Sequence, residues 1–413
     1  MGFVAAVASG HSEPSRAHAS GTSPRAWARH PTVMSKTNSS EHFYHVDAMR
    51  AVAVILVIWT HYAERFASLA GSQHVLDTLQ RSLNFGRMGV VIFFAISGML
   101  IPTSLHGPVR AGTKRFLVRR FFRLYPAYWL ALPAGYVVHW YLFGKQMDIG
   151  GFLANLTMMP AAFGESLILP HGWTLETELY FYGACLVLFW CGALHRMRAL
   201  CLVSIGLCLL FVAALKLQLI PADVLSQYKT LPYHLAIMFW GACFRQAYDT
   251  PSRVLPIRLA KRGPLADLSI TYRAAAAWVA VPIAVIAVMG AVNDWHRNLE
   301  HLPTSLAYLA GVAIFAALST VLKLRIRLLA WLGEISYSIY LLHSLPLFVA
   351  FWLCQRFHIV GWPLGLYMIV PLVPLIPLAW AGYRACEAPC VQLARTVTAR
   401  RRSGALASGD AEG

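Results

Sequence analysis

An apolar run near the start of the chain, VDAMRAVAVILVIWTHY, carries Asp47, Arg50 and His61. Read as a helix at about 100° per residue, it puts Arg50 and His61 within ~20° of one face and ~16 Å apart along the axis. An ionisable group inside a membrane helix costs ~2.5 kcal/mol or more, so it normally turns toward the bundle interior or a water-filled cavity. Imidazole is well suited to taking a proton from a hydroxyl near neutral pH. A core histidine bonded to a neighbouring helix is the plainer alternative for His61.

Other polar groups interrupt later apolar runs. KRFLVRRFFRLYP holds Arg120 and Arg123, three residues apart and so on one helical face. Such guanidiniums suit anchoring to anionic lipid headgroups, at ~1 kcal/mol each, or clamping the phosphates of an acyl carrier such as coenzyme A. HGWTLETELYFYG brings Glu176 and Glu178 to a helix start, where carboxylates are favoured electrostatically. Two residues apart, they point to roughly opposite faces, which argues against a paired-carboxylate mechanism and leaves one able to face a cavity. LGEISYSIYLLHSLP sets Ser336, Tyr337, Tyr340 and His343 in an apolar helix, with Tyr340 and His343 able to share a face; polar contacts between helices would also explain them. Glu387 and Pro389 stand where the last apolar run is expected to end. The eight cysteines form no C-x-x-C pair and read as buried thiols. No metal site is expected, since Cys386 and Cys390 lack partner histidines at ligand spacing.

The elements that position these groups follow from composition. With 58% hydrophobic and 13% charged residues and a mean hydropathy of +0.55, the chain is not a soluble globular protein. At ~20 apolar residues per crossing, ten spans are expected, near 48–66, 88–105, 124–143, 172–192, 199–220, 231–248, 273–292, 303–322, 328–353 and 361–384. Continuous rather than alternating apolarity makes them helices and excludes a barrel. Residues 144–171 are apolar but broken by Pro160 and Pro170, and read as a re-entrant or interfacial segment on the outer face. With ten spans, 27 of the 35 Lys and Arg residues fall on the side of the termini. That asymmetry predicts both termini in the cytoplasm, and it makes the formal charge of +17 a matter of topology rather than nucleic-acid binding. The expected fold is therefore an all-α polytopic membrane protein of about ten transmembrane helices in the inner membrane. Residues 1–42, rich in Ser, Ala, His, Pro and Arg, read as a disordered extension, with Met34 an alternative initiator. Residues 43–392 read as one membrane domain, and 393–413 as a basic, then flexible tail.

Taken in order, the motifs resemble those of the acyltransferase-3 family of integral membrane O-acyltransferases from about His45 to Pro389. The family's L-D-x-L-R-x-x-A helix ending in His is similar to VDAMRAVAVILVIWTH, with Val46 and Met49 in place of the leucines. FFAISG resembles F-F-x-x-S-G and carries Ser97 and Gly98; RRFFRLYP resembles R-R-x-x-R-x-Y-P. WTLETELYFY is similar to W-S-L-x-x-E-x-x-F-Y and maps the family glutamate onto Glu178, with Thr174 for serine. ISYSIYLLH and the final E-x-P complete the series.

The resemblance implies an acyl donor, usually acetyl-CoA, as co-substrate. It also implies an acceptor hydroxyl on an O-antigen, exopolysaccharide, glycolipid or lipo-oligosaccharide. On this reading His61 is the catalytic base, or transiently carries the acyl group, with Arg50, Asp47 and Glu178 in support. Arg120 and Arg123 hold the acyl-CoA headgroup, and Ser97, Tyr340 and His343 position substrate. Some relatives append a soluble esterase-like domain, so transfer is expected to finish in the membrane domain or with a partner protein of envelope synthesis. A transporter or flippase would use the same embedded His, Arg and Glu as a substrate or proton path.

Overall fold

Apolar runs too long to leave their backbone groups to water close those bonds within helices, and the chain is helical almost throughout. The computed structural model describes residues 36–71, 82–219, 226–257, 268–297, 299 and 301–409. In chain order the helices are α1 (Lys36–Phe66), α2 (Phe85–Ser104), α3 (Val109–His139), α4 (Ile149–Leu156), α5 (Trp173–Trp190), α6 (Met197–Lys216) and α7 (Ser226–Asp249). They continue as α8 (Tyr272–Arg297), α9 (Leu302–Thr320), α10 (Arg327–Glu334), α11 (Ser336–Leu342), α12 (Ser344–Arg356), α13 (Leu364–Gly382) and α14 (Ala388–Gly409). The all-helical expectation needs one correction: between α7 and α8 a hairpin pairs β1 (Val254–Ile257) antiparallel to β2 (Leu268–Thr271), with Val254 opposite Thr271.

Among the described residues, seven helical stretches are long and apolar enough to cross a membrane: α1 from Tyr44, α2, α6, α8, α9, α11 with α12, and α13 continuing into α14. The other expected spans coincide with α3, α5 and α7, which are more polar. Arg120 and Arg123 lie on α3 itself, α5 opens on Thr174, Glu176 and Glu178, and α7 begins SQYKT. Residues 144–171 form α4 and three-residue to four-residue 3₁₀ turns, none able to span a bilayer.

Two boundaries differ from expectation. The run 328–353 is broken at Ile335 and His343 into α10, α11 and α12, and the second break places Pro346 in the first turn of α12, where a missing N–H is tolerated. The last membrane helix does not stop at 384. A π turn over Tyr383–Glu387 carries it into α14, with Pro389 again in a first turn, so the expected tail is helical to Gly409. At the other end, the extension expected over 1–42, with Met34, lies outside the described residues up to 35, and α1 already runs from Lys36.

The core is built on α2, packed against α1, α5, α7 and α9. Glycines let the backbones meet: a Cβ on Gly98 would lie 1.8 Å from the Met238 carbonyl oxygen, and one on Gly241 2.3 Å from that of Ala95. Small residues at such crossings provide the close packing that holds membrane helices together. Gly98→Ala is expected to force α2 off α7 and to destabilise by about 1–3 kcal/mol. Gly206→Ala, on α6 where an added Cβ meets nothing within 4 Å, should leave thermal stability in detergent unchanged or slightly raised. Equal melting of the two variants would refute the close-packing argument.

Candidate active site

Arg50 of α1, Ser97 of α2, Arg120 and Arg123 of α3, Glu178 of α5 and Tyr340 of α11 line one cavity of about 110 Å³. Three guanidiniums and one carboxylate line it, and guanidinium forks suit phosphate oxygens. Each is held differently. Arg50 Nη1 lies 3.3 Å from Asp47 Oδ1, one turn back on α1. Arg123 pairs with the buried Glu387 of the π turn, which also accepts a 2.6 Å bond from Ser338 Oγ. Arg120 rests over the rings of Phe116 and Tyr182 and is in no ion pair among the described residues. Glu178 Oε1 accepts from Ser97 Oγ at 3.2 Å and from Tyr182 Oη at 2.9 Å. Glu176, two residues earlier, turns away into contacts with Tyr180, Gln227 and Tyr228. Val90, Phe93, Phe94 and Leu175 give the same cavity an apolar flank.

A second cavity, of about 320 Å³, is lined by His61, Glu64, Arg65, His171, Trp173 and His343, among others. The His61 and His343 rings stack with centroids 5.4 Å apart, and His171 lies 4.6 Å from His343. The cavities adjoin across Tyr340, whose ring lies 5.1 Å from that of His171 and 5.8 Å from that of His343. Thr174 and Tyr340 line the first, while Trp173 and His343, close to them in the chain, line the second. Tyr340 Oη donates to the His171 carbonyl oxygen at 2.7 Å and is hydrogen-bonded to Thr174 Oγ1.

The segment 144–171 holds His171 in place. Buried Asn155 bonds the backbone at Gly151, Ser166 and Ile168, each at 2.9 Å. Trp129 and Tyr125 of α3 donate to the carbonyls of Leu156 and Thr157. Burial, and then the neighbouring His343 and His61 rings, hold the His171 imidazole well below the usual histidine range.

Of the residues singled out from the sequence, Arg50, Ser97, Arg120, Arg123, Glu178 and Tyr340 share the first cavity, and Asp47 joins through Arg50. His61 and His343 do not join them; they line the second cavity. The shared face of Arg50 and His61 is therefore divided along α1. Two residues were passed over. His171 stands just before the W-T-L-x-x-E motif, and that position is the signal in the sequence that points to it. Glu387 was read as a helix end, and its partner Arg123 lies 264 positions away.

The acyltransferase-3 family model, described as an acyltransferase domain, matches residues 43–384. The chain belongs to this family and is a membrane acyltransferase. It is similar to the exopolysaccharide production protein ExoZ of Rhizobium meliloti (strain 1021), with 28% identity over 350 residues, or 82% of this chain and 99% of ExoZ. It is also similar to protein 2 in the picA locus of Rhizobium radiobacter, with 27% identity over 162 residues, covering 34% of this chain and 78% of that protein. No solved structure matches it significantly.

Proposed function

We propose that the protein is an O-acyltransferase that moves an acyl group, acetyl in the simplest case, from acyl-CoA to a hydroxyl of an envelope saccharide. The observation that carries this reading is the pair of adjoining cavities, one rimmed by Arg50, Arg120 and Arg123 and the other by His61. The likeness to ExoZ, named for exopolysaccharide production, supports the saccharide acceptor. The helices form ten spans in the inner membrane, with both termini and the guanidinium cavity toward the cytoplasm, where acyl-CoA is made.

In this reading the CoA phosphates meet Arg120 and Arg123, and the thioester lies along the apolar flank toward Tyr340. Asp47 holds Arg50; Glu178 holds Ser97 and Tyr182 against the donor. The Tyr340 and Thr174 partition opens to let the acyl carbonyl reach His61. His61 takes the proton of the acceptor hydroxyl as its oxygen attacks the carbonyl carbon. The C–S bond breaks, and the thiolate leaves with that proton as free thiol. In a two-step variant His61 carries the acyl group first.

Purified protein given acyl-CoA and an envelope glycan fraction should release thiol and form ester in equal amounts. Glycan accumulation in vesicles without thiol release would replace this reading with a transporter. Arg120→Ala should raise the acyl-CoA concentration needed for half-maximal rate by about tenfold, as expected for one charge-assisted contact of ~1.5 kcal/mol, with acceptor dependence unchanged. Loss of the protein from the membrane instead would make Arg120 a lipid anchor.

A further inference from the structure

The second cavity has a cation on its wall that is fixed in place but not paired. His61, Glu64 and Arg65 stand three and four residues apart on the last turns of α1, so they share one face, and all three line this cavity. The Arg65 guanidinium lies over the ring of Phe348, 4.2 Å from its centroid, and 5.2 Å from that of Phe351, both on α12. Those rings are themselves held: Phe348 meets His139 edge-on at 4.3 Å and Phe143 at 5.8 Å, and Phe351 meets Phe66 at 6.2 Å. The rings settle where the cation sits but offer its five N–H donors no oxygen. Among the described residues Arg65 makes no ion pair and no hydrogen bond, and none of its nitrogens is sealed inside the protein. Glu64, its chain neighbour, is exposed and lines the same cavity, outside ion-pair distance of Arg65. Guanidinium donors match the two oxygens of a carboxylate, in bonds roughly twice as strong as neutral ones. With Glu64 beside it, the wall suits a ligand that brings one negative charge together with hydroxyl groups: the anion to Arg65, a hydroxyl proton to Glu64. A phosphate monoester brings nearly two charges, which Glu64 opposes. A carboxylated sugar has both groups, and Trp173, Phe348 and Phe351 give the cavity the apolar surface its ring needs.

We propose that Arg65 binds a carboxylate carried by the acceptor saccharide, so that the second cavity selects an acidic sugar residue and seats one of its hydroxyls at His61. This rests on the acyltransferase reading. Arg65 and His61 are one helical turn apart, with Cβ atoms about 5–6 Å from each other at that spacing. A single sugar residue covers that span between its carboxylate and a ring hydroxyl. Arg65 thus sets specificity: it holds the acceptor away from the reacting atoms and moves no proton.

The test uses the full chain in membranes, with acetyl-CoA and the cell's own envelope glycan fraction, either untreated or after chemical reduction of its carboxylates to primary alcohols. Wild type should need about ten- to a hundredfold more of the reduced glycan for half-maximal rate, with the acetyl-CoA dependence unchanged. Arg65→Met keeps an unbranched side chain against Phe348 and Phe351 but no charge. It should lose the same factor on the untreated glycan and stay within about threefold of wild type on the reduced one. Arg65→Lys, a point charge without the planar fork, should keep the preference at reduced size. A wild type that uses both fractions equally well would overturn the proposal. So would an Arg65→Met that loses as much on the reduced glycan as on the untreated one, since the arginine would then serve packing alone. If Arg65→Met does not reach the membrane, the wild-type comparison and Arg65→Lys decide. Absence of thiol release by the wild-type chain with either fraction would remove the acyltransferase reading as well, whereas normal transfer without preference removes only this inference.

Discussion

His61→Ala is expected to lower acyl transfer by about 10²- to 10⁴-fold, the range of a lost general base, while the protein still inserts and melts normally. The stability half of this expectation comes from the environment of the ring. A structural histidine in a membrane bundle earns its place through hydrogen bonds to neighbouring helices. His61 makes none among the described residues; its contacts are the wall of the second cavity and the stacked ring of His343. Truncation therefore removes a ring at the edge of an open space and strands no buried partner, so the usual source of large destabilisation is missing. His61→Gln should be nearly as inactive, because an amide cannot take the proton. Thiol release measured beside ester formation separates the two chemical variants. A base-only role predicts that both fall together in either substitution. An acyl-carrying His61 predicts, in addition, a wild-type burst of thiol release before acceptor is added. Full transfer by His61→Ala would remove the residue from the mechanism.

Local patterns made the helices legible, and the cavities less so. The eleven-residue step from Arg50 to His61 puts both on one face, because helical period depends on nothing beyond the helix, and in the structure each lines a cavity. It could not say that Thr174 and Tyr340, from α5 and α11, close the space between them. Of Glu176 and Glu178, periodicity gave opposite faces but not which face was the cavity; that depends on where α2 and α7 lie. The break at His343 was hidden because Leu341, Leu342 and Leu345 continue the apolar pattern straight through it, and only Pro346 marks the interruption. That break sets the His343 ring beside the Tyr340 carbonyl. The π turn at Tyr383–Glu387 was hidden for a similar reason: Glu387 followed by Pro389 ordinarily marks a helix end, and here the extra residue in the turn swings the carboxylate inward instead.

Glu387→Ala is expected to be the most destabilising single change near the site. The carboxylate is buried and serves two partners, Arg123 and Ser338 Oγ. Removing it leaves a largely buried guanidinium facing an apolar gap and a buried hydroxyl without its acceptor. Breaking a buried pair from one side costs about 3–5 kcal/mol, whereas replacing both partners by apolar side chains of similar volume is often neutral or better. Two outcomes follow from that asymmetry. Glu387→Ala should melt well below wild type in detergent and accumulate poorly in the membrane. Arg123→Met with Glu387→Met should recover most of the lost stability. It should not recover acyl transfer, because Arg123 also lines the guanidinium cavity, over the ring of Tyr337. The pair thus joins the terminal helix to the proposed donor site: α13 and α14 meet at the residue that neutralises one of the three cations, leaving Arg120 the one without a carboxylate. A Glu387→Ala protein as stable as wild type would show that the pair is not buried in the membrane. A double methionine variant that transfers normally would take Arg123 out of donor binding and leave Arg50 and Arg120 to carry it.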